Sequence, residues 1–123
     1  MSNEIFKGEM MNEAQLDEVV GGSRGELSCD TKFFHALGLL DSYHEPGYVE
    51  NHVDEITAEI TAAVQKIGNL NLKITYSPNG KNQYLFTEYD SGGVVSRTAT
   101  RDYLYKTICK AVGQPDFNYK QYL

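Results

Sequence analysis

Few groups in this chain can do chemistry. They are two cysteines, Cys29 and Cys109, three histidines, His35, His44 and His52, and the acids Glu45, Asp54 and Glu55 close to the last two histidines. A thiol and an imidazole form a nucleophile–base pair only with an orienting third group and oxyanion donors, and nothing around Cys29 and His35 marks either. The histidines share no recognised zinc-ligand spacing. "SPNGKN" and "DSGG" lack the order of a phosphate loop and read as turns. No catalytic residue, metal ligand or cofactor is assigned, and the chain reads as non-enzymatic. The remaining signal is the pair Gly21-Gly22, which closes the acidic stretch "MNEAQLDEVVGG" just before Ser23 and is either a helix stop or the end of a segment that is cut away.

Taken alone, a glycine pair is a helix stop followed by a flexible joint. Its surroundings carry more than that. Residues 1–22 hold five acids against the single Lys7, and contain no Tyr, Cys, His or Pro. All nine tyrosines, both cysteines and all three histidines follow, in 101 residues with twelve acids and ten bases. Asn12 is a candidate N-cap with Gln15 as its capping-box partner. On an ideal helix Met11, Leu16 and Val19 then fall within an arc of about 140°. So short a helix is marginal alone in water and forms against a partner or against the domain.

This stretch resembles the double-glycine leader of bacteriocin precursors and other small cargo of peptidase-containing ABC transporters. In that pattern apolar residues stand four, seven and twelve positions before the cut and Gly-Gly ends the leader; Val19, Leu16, Met11 and Gly21-Gly22 fill those places. The resemblance implies that Met11, Leu16 and Val19 dock on the transporter's cysteine-peptidase domain. It also implies that cleavage follows Gly22 and that Ser23 becomes the new N-terminus. A narrow tunnel beside the nucleophile has no room for a Cβ, which gives the glycines a physical reason. Asn12 stands where Ser is more usual, and Gln15 where Glu is common. The resemblance covers residues 1–22; residues 23–123 resemble no family.

The elements that follow Ser23 read as one small domain. "SCDTKFFHALGLLD" puts Phe33, Leu37 and Leu40 on one helical face, with Ser28 or Asp30 as candidate caps. "DSYHEPGYVEN" reads as a loop broken by Pro46-Gly47. Val53, Ile56, Ile60, Val64 and Ile67 form the stripe of a second helix that stops at Gly68. The period then changes to two. Leu70, Leu72, Ile74 and Tyr76 alternate with polar residues, "SPNGKN" turns through Asn79-Gly80 at positive φ, and "QYLFTEY" returns as a second strand. After "DSGG", Val94-Val95 can open a short third strand. "TATRDYLYKTICKAVG" is a last helix with Leu104 and Ile108 inward. The expected class is α+β, in the order α-α-β-β-(β)-α, with helices packed on a small antiparallel sheet. The tyrosines and phenylalanines of the hairpin and the C-terminal end are expected mainly to pack.

Charge and hydropathy narrow the function. A net charge of -6 argues against nucleic acid as a partner, because no basic run can displace counterions from a phosphate backbone. It argues equally against a cationic peptide that attacks anionic membranes. No apolar run approaches the ~20 residues of a transmembrane helix, and the N-terminus lacks the pattern of a Sec signal. The expectation is a precursor made in the bacterial cytoplasm and secreted after leader cleavage, with residues 1–22 as leader and 23–123 as cargo. A disulfide joining Cys29 and Cys109 becomes possible on export, and would stabilise the domain by about 4 kcal/mol in the chain-entropy model. The rival is an intracellular binding module of immunity or regulatory type, whose N-terminal helix belongs to its fold or interface. A weaker third reading is a small enzyme using the His44–Glu55 loop.

Overall fold

The computed structural model describes residues 22–123. Helix α1 (Ser23–Ala36) leads through the one-turn α2 (Pro46–Val49) to α3 (Val53–Ile67). Strands β1 (Leu70–Thr75), β2 (Gln83–Asp90) and β3 (Gly93–Ala99) follow, then α4 (Arg101–Ala111) and a 3-10 turn at Tyr119–Tyr122. The sheet is antiparallel in the order β1-β2-β3, with Leu72 opposite Phe86 and Phe86 opposite Arg97. The class is therefore α+β.

Period-two alternation sends Leu72, Ile74, Tyr84 and Phe86 to one face of the sheet. Against them lie Leu27, Phe33 and Phe34 of α1, Ile56, Ile60 and Val64 of α3, and Leu104, Tyr105 and Ile108 of α4. Phe33 and Tyr105 stack with ring centroids 3.9 Å apart, which joins α1 to α4 at the centre of the core. Helix α3 passes to β1 in two residues, and both Gly68 (φ 95°) and Asn69 (φ 62°) take the left-handed conformation that so tight a reversal requires. Thr100 caps α4, its side chain accepting from the Tyr103 amide at 3.0 Å.

Several local expectations are corrected. Helix α1 begins at Ser23 with Gly22 as its N-cap residue, so Ser28 and Asp30 are not caps but buried positions inside the helix. Their role is lateral. Ser28 Oγ donates to the His44 carbonyl at 2.6 Å, and the His44 amide donates to Thr31 Oγ1 at 3.0 Å, which pins the loop before α2 to α1. Pro46-Gly47 does not break that loop but starts α2, because proline suits the first helical turn. The "SPNG" turn closes with the Gly80 amide on the Ser77 carbonyl, without positive φ at Asn79 or Gly80. Pro78 sits where its fixed φ favours an ordinary turn. The third strand runs the full seven residues. Among the described residues, no helix is long and apolar enough to cross a membrane.

Candidate functional site

Of the sequence-assigned site residues, Met11, Leu16, Val19 and Gly21 lie outside the described residues. Gly22 and Ser23 do not, and the bond between them sits where α1 starts. Ser23 is 4 % exposed. Its carbonyl accepts from Asn82 Nδ2 at 2.9 Å, and the Asn82 amide donates to Glu26 Oε1 at 3.0 Å. The Glu26 amide in turn donates to the Gly22 carbonyl at 2.9 Å. The first turn of α1 is thus tied to the residue that opens into β2. Arg24 adds an ion pair with Glu50 at 2.6 Å, beyond α2.

Beside this turn lies a cleft of about 470 Å³, lined among others by Gly25, Glu26, Cys29, Lys81, Arg101 and Asp102. Tyr84 and Arg101, which line it, belong to a buried polar cluster that the sequence did not disclose. Asp30 is buried and accepts from the hydroxyls of Tyr84 and Tyr105 and from Arg101 Nε at 3.0 Å. Arg101 Nη2 donates to Tyr105 Oη at 2.7 Å and to the Tyr122 carbonyl at 2.8 Å, and Nη1 to the Leu123 carbonyl at 3.0 Å. Burial pushes the Asp30 carboxyl above the usual carboxylate range, against the pull of Arg101 and the two hydroxyls. Burial works against the Arg101 charge too, but Asp30 and the tyrosines hold its pKa above the ordinary value. Every polar group of the cluster is engaged by another, so it braces α1, β2, α4 and the C-terminal turn together.

The two cysteines are free: Cys29 is half-buried at the cleft, and Cys109 belongs to the core. Burial pushes both thiols up, which lowers the thiolate fraction at neutral pH. His35 does not face Cys29. It lines a separate hollow with Lys32, Tyr43 and Tyr122, and its Nδ1 lies 3.1 Å from the Leu40 carbonyl. His44 and His52 stack on the two sides of Tyr48, with centroid separations of 4.4 and 3.7 Å. His44 Nε2 lies 3.7 Å from Glu59, while Asp54 and Glu55 occupy the exposed first turn of α3. Among the described residues no three His, Cys, Asp or Glu side chains converge on one point.

Asp30 and Arg101 are 71 positions apart, and no local pattern links them. A signal for the true start of α1 was nevertheless present. "SRGE" at Ser23 has the Ser-x-x-Glu form of a helix N-terminus, one residue later than the observed N-cap Gly22; no side chain caps the helix, and Glu26 accepts from the Asn82 backbone amide instead. No protein-family model, curated protein or solved structure matches this chain.

Proposed function

We propose that the chain is the precursor of a secreted bacteriocin-like or effector protein. Residues 1–22 form a double-glycine leader, recognised through Met11, Leu16 and Val19 and cleaved after Gly22 by a peptidase-containing ABC transporter. Residues 23–123 are the cargo, a non-enzymatic α+β domain. The observation that carries the reading is the register of Met11, Leu16 and Val19 ahead of Gly21-Gly22. The start of the first described helix at Ser23, one residue beyond the pair, supports the same boundary. The direct test mixes the chain with a matching peptidase domain and weighs the products. A cut after Gly22 that slows at least tenfold in Leu16→Ala and Val19→Ala is expected. No cut, or one indifferent to both substitutions, removes the proposal.

One observation favours the rival class. Ser23 is buried, as the junction of a binding module would be if its N-terminal segment belonged to the fold. Such a module loses stability through Leu16→Ala or Val19→Ala, whereas a leader loses processing. Urea unfolding of these two variants therefore separates the readings.

A further inference from the structure

A peptidase reads several residues on each side of the bond it cuts in an extended, strand-like conformation. The residues following Gly22 are not extended. Ser23, Arg24, Gly25 and Glu26 form the first turn of α1, where the chain rises about 1.5 Å per residue against roughly 3.3 Å in a strand. Ser23 and Gly25 are buried. Asn82, itself buried, holds the Ser23 carbonyl and the Glu26 carboxylate at once, from the far side of the β1–β2 turn.

To enter a proteolytic cleft this turn has to unwind. Unwinding breaks the hydrogen bond from the Glu26 N–H to the Gly22 carbonyl, both Asn82 contacts and the Arg24–Glu50 ion pair together. We infer that the Gly22–Ser23 bond is closed to the processing peptidase in the folded chain, and that folding of the cargo domain controls leader removal. The inference rests on the leader reading above. Its content is the order of events: the peptidase acts on a chain whose domain has not folded, or has opened at its first turn. When opening and closing are fast relative to cleavage, the rate follows the fraction of molecules in the open form. Asn82 is the latch. It lies 59 residues beyond Ser23, outside any segment that a leader peptidase grips at the cut.

The test compares three substrates under one peptidase domain: a synthetic peptide of residues 1–30, the full chain and the full chain with Asn82→Ala. The peptide contains the whole leader and the bond, without the fold around it. The expected result is cleavage of the peptide after Gly22, cleavage of the full chain at least about tenfold more slowly, and an intermediate rate for Asn82→Ala. A full chain cut as fast as the peptide overturns the inference and leaves the leader reading standing. A peptide that is not cut removes the leader reading instead. Trypsin then decides protection of the same turn without any leader, by its cut after Arg24. Slow cleavage there in the full chain relative to the peptide supports a closed turn, and equal rates overturn it. The wild-type comparison stands even where Asn82→Ala unfolds the domain.

Discussion

A carboxylate sealed from water needs hydrogen-bond donors on both oxygens, and Asp30 finds three, Tyr84 on Oδ2 and Tyr105 and Arg101 on Oδ1. The hydroxyls are held as firmly as the carboxylate. Burial first, and then the Asp30 charge, pushes both tyrosines well above the ordinary value of 10.0. Above pH 10 the unfolded chain therefore sheds these two protons while the folded chain keeps them. The unfolded state then binds fewer protons than the folded one, so stability falls as pH rises, by about 1.4 kcal/mol per pH unit for each tyrosine. Tyr105→Phe removes one of the two. It is expected to lower stability at pH 8 by about 1.5 kcal/mol, through the lost bonds to charged partners. That deficit should shrink as pH rises from 10 to 11. Urea unfolding of both proteins at pH 8, 10 and 11 measures it, and a deficit constant across the series refutes the protonated, buried tyrosine. None of this was legible beforehand. Asp30 looked like a helix cap because small polar residues, Ser23, Ser28 and Thr31, occupy the buried side of α1 and dilute its apolar stripe.

Elements whose stripe is apolar were legible. The period of α3 and the alternation of β1 and β2 survive in the structure, with Ile56, Ile60 and Val64 inward and Leu72 opposite Phe86. Where tertiary bonds override a local pattern, the reading shifted. The loop before α2 is organised by Ser28 and Thr31 of α1, and β3 extends to Ala99 because its backbone pairs with β2 from Asp90 back to Tyr84. Helix α4 shows how a single side chain sets an end. Thr100 supplies the acceptor for Tyr103, and the next residue is Arg101, whose guanidinium must reach Asp30. Thr100→Ala is expected to destabilise the domain by about 1 kcal/mol, and Thr100→Ser by much less. Thermal unfolding followed by circular dichroism distinguishes them. Equal losses in the two variants mean that the methyl group and not the hydroxyl matters at this cap.

At the scale of the whole molecule the described residues supply an extensive core of their own. Among the described residues the buried apolar side chains of the cluster run from Leu27 to Cys109, and the Asp30–Arg101 brace joins the helices to the C-terminal turn. A chain of about 100 residues buries enough surface to fold by itself. Residues 23–123 alone are therefore expected to unfold cooperatively in urea, as the cargo of the proposed leader must once the leader is gone. Their stability should nevertheless lie below that of the full chain. Removing Gly22 takes away the carbonyl that accepts from the Glu26 amide, and places a new ammonium at the positive end of α1. Together these changes cost about 1 kcal/mol, a fall of roughly 0.5 M in the urea midpoint for an m-value near 2 kcal/mol/M. Glu26 lies in the first turn and partly offsets the new charge, so Glu26→Gln should widen the gap between the two chain lengths. A gradual, non-cooperative unfolding of residues 23–123 rules out an autonomous cargo. The segment before Ser23 would then have to be part of the fold, as the binding-module reading requires.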